Sequence, residues 1–128
     1  MKYLLDTHIL IWASASSSRL NARTKAILLD ADNEIYFSAI SILEVAIKQG
    51  LAKREFDVEA SAMRRSIMDD GFVELAVTGE QAVFVATLPL IHKDPFDRLL
   101  VAQANVEGMT LITADEQVAR YPGPILKV

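Results

Sequence analysis

Short, nearly all-apolar runs separated by longer helical patterns constrain this chain most. Tyr3-Leu4-Leu5, Ile35-Tyr36-Phe37 and Leu111-Ile112 lack the alternation of a sheet that faces water on one side. Strands of this kind are buried on both faces. The residues between them carry helix signals. Thr7–Ala13 can begin a helix directly after the first strand, and Ser14–Ser18 is a polar loop. Leu20–Asp30 is helical by its apolar spacing, with Asn21 as a candidate N-cap. Ser38 or Ser41 caps a helix to Gln49, with Gly50 suited to the C′ position. Lys53–Asp57 reads as a charged loop, and Val58–Asp70 as a helix ending at Gly71. Phe72–Val77 is a third strand. Thr78 or Gly79 opens a helix to about Thr87, and Pro89 stops it. Pro95–Val106 is a helix closed by Gly108, followed by a fourth strand at Met109–Thr113. Asp115–Arg120 is a short helix, and Ile125–Val128 a fifth, edge strand.

Strands alternating with helices predict a mostly parallel sheet of four or five strands, covered on both faces. This is a three-layer α/β/α domain with right-handed crossovers. In such open sheets the functional site lies beyond the carboxyl ends of the strands. The 128 residues suit one domain with a single core, and 52% of them are apolar. No apolar run reaches the length of a membrane span, and the start, Met1-Lys2-Tyr3-Leu4-Leu5-Asp6, is no signal peptide. There is no cysteine, which removes disulfides and thiolate metal sites. A cytoplasmic protein is expected.

Four acids stand where a site should be. Asp6 ends the first strand and Asp115 follows the fourth. Glu44 lies in the helix after the second strand, with Ile40 and Ile47 as neighbours on an apolar face. Asp97 stands in the first turn of its helix, with Leu100, Val101 and Ala104 at i+3, i+4 and i+7. Helices that follow parallel strands begin at the carboxyl edge, so all four carboxylates can converge there. Each also has a plain structural reading. Asp6 can cap the next helix, and Asp94-Pro95-Phe96-Asp97 can be a helix start and no more. Ser41-Ile42-Leu43-Glu44 and Thr113-Ala114-Asp115-Glu116 match capping boxes.

Four acids on one edge, two of them on otherwise apolar faces, require a positive partner. No single Lys or Arg is obviously placed for this, and a divalent cation is the natural answer. Oxygen ligands without cysteine favour Mg2+, with Mn2+ as a substitute. Such ions can activate water against a phosphodiester, which points to a metal-dependent nuclease. The formal net charge of −4 argues weakly against simple electrostatic binding of nucleic acid. Setting the four acids aside leaves a neutral remainder, with Lys48, Lys53, Arg54, Arg64, Arg65, Lys93 and Arg98 as candidates for a basic patch.

Four stretches carry a family resemblance: Leu5-Asp6-Thr7-His8, Ser38–Lys48, His92–Leu100 (His-Lys-Asp-Pro-Phe-Asp-Arg-Leu-Leu) and Leu111-Ile112-Thr113-Ala114-Asp115. In this order they resemble PIN-domain ribonucleases. The resemblance is to the VapC toxins of bacterial type II toxin–antitoxin pairs, especially a branch with Asp-Thr-His and Asp-Pro-Phe-Asp-Arg, and it covers nearly the whole chain. It implies a Mg2+-dependent endoribonuclease, often acting on tRNA or other structured RNA, inhibited by a small antitoxin and forming a homodimer. By the same resemblance Asp6 and Asp97 are direct metal ligands. Glu44 and Asp115 act through water or orient the nucleophile. Thr113 matches the family's hydroxyl residue at this edge, and Thr7 can serve beside Asp6. The antitoxin is expected near Trp12 and the Val58–Asp70 helix, with a basic residue entering the acidic site.

Other residues have competing roles. His8 and His92 invite a metal or acid–base reading, against that of a hydrogen-bonded histidine fixing a loop. Lys48, four residues after Glu44, suits an i,i+4 ion pair or a substrate phosphate. Arg98 can reach RNA or solvent. Trp12 suits the core or a partner surface better than a base-stacking platform. Asp94 is a cap with a secondary metal role open. Two other functional classes fit the outline: a Mg2+-binding signalling receiver, which needs an aspartate after the third strand, and a non-catalytic binding module.

Overall fold

The computed structural model describes residues 1–51 and 58–128. Its sheet has five strands: β1 (Lys2–Leu5), β2 (Glu34–Ser38), β3 (Val73–Leu75), β4 (Thr110–Thr113) and β5 (Ile125–Lys127). Their order is β3-β2-β1-β4-β5, and every neighbouring pair is parallel. The described helices are α1 (Thr7–Ser14), α2 (Ala22–Leu29), α3 (Ala39–Gly50), α4 (Ala60–Asp69), α5 (Gly79–Phe84) and α6 (Pro95–Glu107). Two single 3-10 turns, Val85–Thr87 and Val118–Arg120, are also found among the described residues. The expected helix over Asp115–Arg120 is therefore only the second of these turns. The expected loop Lys53–Asp57 lies outside the described residues. None of the described helices is long and apolar enough to cross a membrane.

Successive residues of the central strands feed opposite faces, which is why these strands read as unbroken apolar runs. Leu5, Ile35, Phe37 and Ile112 pack with Ile9 and Leu10 of α1, Val45 of α3, and Met63 and Ile67 of α4. Leu4 and Leu111 pack on the other side with Leu100, Val101 and Ala104 of α6, and with Val118 and Tyr121. This is the three-layer α/β/α arrangement expected.

Local signals set the helix starts. Asn21 Oδ1 accepts from Thr24 N at 2.8 Å, and Ser38 Oγ accepts from Ile40 N at 3.1 Å. Thr78 and Gln81 form a reciprocal capping box. Asp94 Oδ1 accepts from Phe96 N at 2.8 Å, with Pro95 in the first helical position. Gly108 closes α6 in the left-handed conformation, as expected. Gly50 departs from expectation: it is the last helical residue of α3, and Leu51 caps the end.

The strand order decides where a site can form. β1, β2 and β3 step outward on one side, and β4 and β5 lie on the other. The direction of winding reverses between β1 and β4, so a crevice opens beyond their carboxyl ends. This order also overturns the receiver reading, because receivers order their strands 2-1-3-4-5. Ala76-Val77-Thr78 follows β3, with no phosphoacceptor aspartate.

The turn into β5 depends on one glycine. Gly123 has φ 125°, and a Cβ there would collide with the side chain of Asn105. Asn105 Nδ2 donates to Val101 O at 2.9 Å and Pro122 O at 3.3 Å, fastening this turn to α6. Gly123→Ala should lower unfolding free energy by about 1–3 kcal/mol in urea denaturation. An unchanged midpoint would contradict this account of the turn.

Candidate active site

Asp6 follows the last residue of β1 and is 4% exposed. It occupies the N-cap position of α1, yet its side chain makes no cap bond. Oδ2 instead accepts from the Thr113 hydroxyl at 2.5 Å, across the β1–β4 switch point. Thr113 is fully buried and also accepts from Asp115 N at 3.0 Å. The capping box read over Thr113–Glu116 is thus not formed; Thr113 holds Asp6. Burial raises the Asp6 pKa and Glu44 adds to this, while the Thr113 hydrogen bond and His8 pull it down.

Glu44 is 3% exposed and lies one turn and a half into α3, beyond the reach of a cap. Ser38 caps that helix, and Ser41 instead accepts from the Thr7 hydroxyl at 2.9 Å, tying α1 to α3. Lys48 Nζ pairs with Glu44 Oε2 at 2.6 Å. Oε1 of Glu44 is buried and has no hydrogen-bond partner among the described residues. The inward face of α3 is Ser41, Glu44, Val45 and Lys48; Ile47, read as part of that face, is 47% exposed. The i,i+4 pair expected of Lys48 forms, and its ammonium also lies 6.0 Å from the Phe96 ring centroid. Burial works to lower the Lys48 pKa, but the Glu44 hydrogen bond and the charges of Glu44, Asp94 and Asp97 outweigh it, and the net shift is upward.

Asp97 stands in the first turn of α6, half-buried above Leu100, Val101 and Ala104. Its carboxyl pKa is raised to about 8, first by burial and then by the charges of Asp6, Asp94, Glu44 and Asp115. Asp97 thus feels the charges of the other three expected acids and of Asp94, while among the described residues only His92, Asp94 and Asp97 bring potential ligand atoms within 4.8 Å of one another. Asp115 is the outlier, being exposed on the rim. Its Oδ1 accepts from Gln117 N at 2.7 Å and Val118 N at 3.2 Å, so one oxygen serves the following turn.

The remaining candidates divide between frame and site. Arg98 is half-buried and its guanidinium is engaged within the chain. Its guanidinium donates to the carbonyls of Pro89 and Val85 and to the Tyr121 hydroxyl. Arg64 pairs with Glu74 at 2.7 Å. Lys53 and Arg54 lie outside the described residues, and the expected basic patch reduces to exposed Arg65 and Lys93 with Lys48 at the site. Trp12 is half-buried against the core, with the Arg19 guanidinium 5.8 Å from its ring and the His8 ring centroid at 6.2 Å. Sequence reasoning missed two contacts, the Thr7–Ser41 hydroxyl bridge and Tyr121. The Tyr121 hydroxyl accepts from His92 N and donates to His92 O, fixing the segment before α6. Both bring together residues distant in the chain, and no local pattern announces them.

The donor set is carboxylate oxygen flanked by a hydroxyl, which suits a hard divalent cation. The unpartnered Oε1 of Glu44 fits the same group. A buried acceptor left without a donor costs about 1–3 kcal/mol, and a cation would satisfy it.

The chain matches the family model of the PIN domain over residues 3–124 and belongs to that family. It is 28% identical over 125 residues to ribonuclease VapC22 of Mycobacterium tuberculosis, covering 95% of each chain. It also resembles the solved structure of VapBC2 from Rickettsia felis bound to a promoter DNA fragment. The TM-score is 0.75 at 18% identity, covering 99% of this chain and 98% of that one. DNA-bound VapBC from Salmonella typhimurium gives a TM-score of 0.70 at 17% identity, with the same coverage.

The raised Asp97 pKa carries a stability consequence. Between the ordinary value of 3.8 and about 8 the folded protein retains a proton that the unfolded chain has released. Stability without metal therefore declines as pH rises through this window. Thermal denaturation in chelator should show a falling melting temperature from about pH 5 to 8, and a flatter profile for Asp97→Asn with a higher melting temperature at the alkaline end. Parallel profiles for the two proteins would contradict the assigned burial of this charge.

Proposed function

We propose that this chain is a VapC-type toxin, a Mg2+-dependent endoribonuclease paired with an antitoxin. One observation carries the metal reading: carboxylates that raise the Asp97 pKa by mutual repulsion lie near the β1–β4 switch point, and a buried Glu44 oxygen has no partner among the described residues. Asp6 and Asp97 are the direct ligands of this reading. Glu44 offers Oε1, and Asp115 acts from the rim through water. Mn2+ can replace Mg2+. The bound ion supplies a water of lowered pKa and offsets charge at the phosphodiester.

The chain's own residues prepare the site. Thr113 holds Asp6 by one oxygen, and Lys48 holds Glu44 by one oxygen. The α6 N-terminus adds a favourable field for anionic groups at the mouth, and the Lys48 ammonium meets a backbone phosphate near Phe96. The similarity to ribonuclease VapC22 supports RNA as substrate, and we take structured RNA such as tRNA as its class. The VapBC neighbours support an antitoxin as partner. A cleft of about 430 Å³ beside the end of α4, with Ala13, Leu20, Leu28, Leu29 and Phe72 inside and Ser16, Lys25 and Asp70 also in its lining, offers that partner a mixed, mainly apolar seat. A homodimer and a cytoplasmic location belong to the same reading.

The test is cleavage of RNA by purified protein with Mg2+, beside the Asp97→Asn variant and a chelator control, with cut sites read by sequencing of RNA ends. Cleavage should need metal and fall to the chelator background in the variant, whose folded state is retained. Undiminished cleavage by Asp97→Asn would refute the reading, and a parent protein that cleaves no RNA would leave the non-catalytic binding module in its place.

A further inference from the structure

His92 precedes α6 and is held from both ends. Its backbone N–H and carbonyl both bond the Tyr121 hydroxyl, at 2.8 and 3.1 Å. Tyr121 in turn accepts from Arg98 at 3.1 Å. The ring therefore sits on a rigid support. Its Nδ1 accepts from Asp94 N at 3.2 Å. An imidazole nitrogen that accepts carries no proton, so the ring proton is on Nε2. That nitrogen lies 3.3 Å from Oδ2 of Asp97.

His92, Asp94 and Asp97 together have the donor types of a metal site. The tautomer argues against such a role for the imidazole. A metal needs a bare nitrogen, and the Asp94 backbone N–H leaves the bare one facing away from Asp97. The same geometry suits a different task. Thr113 occupies one oxygen of Asp6 and Lys48 one oxygen of Glu44. His92 approaches one oxygen of Asp97 from a comparable side, with Nε2 at a longer 3.3 Å that is a contact and not yet a formed hydrogen bond.

We propose that His92 is a positioning residue: its Nε2–H engages Oδ2 of Asp97, so that Oδ1 is the oxygen presented to the cation. The imidazole is not a ligand, and the site stays oxygen-only and selective for hard ions. Partners of this kind typically change metal affinity by ten- to a hundredfold when removed. The inference rests on the reading of Asp97 as a ligand.

Two substitutions separate positioning from loop fixing. Asn places an amide near Nδ1 and can keep the bond to Asp94 N, but it offers nothing at Nε2. Gln places its N–H near Nε2. Mg2+ binding by isothermal titration calorimetry should be weakened about ten- to a hundredfold in His92→Asn and stay within about threefold of the parent in His92→Gln. Long-range 1H–15N spectra of the unsubstituted protein should show the Nε2–H tautomer both before and after Mg2+ is added. Full affinity in His92→Asn would overturn the inference and leave His92 as a loop anchor. An Nδ1–H tautomer, or a metal-ligated Nε2, would overturn it even if both variants fail to fold. A parent protein that binds no Mg2+ would sink the metal reading and this inference with it, whereas parent binding matched by His92→Asn sinks this inference alone.

Discussion

Carboxylates buried together repel one another, and each resists losing its water. In this fold that conflict sits at the β1–β4 switch point, and the surrounding structure is arranged to tolerate it. Asp97 responds by holding its proton up to about pH 8. Asp6 leans on a buried hydroxyl. Glu44 takes a lysine from its own helix, but through one oxygen only. None of these devices neutralises the set. Such a site is under electrostatic strain that a divalent cation would relieve, and this makes the arrangement intelligible as chemistry rather than as packing.

The frame that imposes the conflict is simple. Strands apolar on both faces force helices onto both sides of the sheet. Those helices must start at the carboxyl edge, where their N-termini favour anions. α6 shows the division of labour within one element. Asp94 and Pro95 start it, Leu100, Val101 and Ala104 dock it, and Asp97 is carried inward by that docking. Arg98, one residue further on, closes the carbonyls of the preceding turn. A single turn of helix thus serves the site on one face and the scaffold on another.

The fold was largely legible because its signals are local. Apolar runs gave the strands, and Asn21, Ser38, Thr78 and Asp94 gave the helix starts through caps that the structure contains. The expectation that the acids lie at one edge, near enough for their charges to act on Asp97, followed from strand order and helix direction alone. What escaped was set by distance or by competition. The Tyr121 clamp on His92 spans 29 residues, and nothing near either residue marks it. Ser41 and Thr113 looked like caps, but each hydroxyl is committed to a side chain from another element. Ile47 shared a spacing with the buried face of α3, yet the sheet contacts rotate that face toward Ser41 and Val45. Two candidates for the basic patch, Arg64 and Arg98, have partners within the chain that charge counting does not reveal.

The most direct test of the central claim is anomalous diffraction from crystals soaked in Mn2+. The account predicts a strong peak at the carboxyl ends of β1 and β4, within about 2.0–2.3 Å of carboxylate oxygens of both Asp6 and Asp97. It also predicts that Glu44 Oε1 takes part directly or through one water. A site with no peak, or a peak held by His92 Nε2 and Asp94 without Asp6, would contradict it.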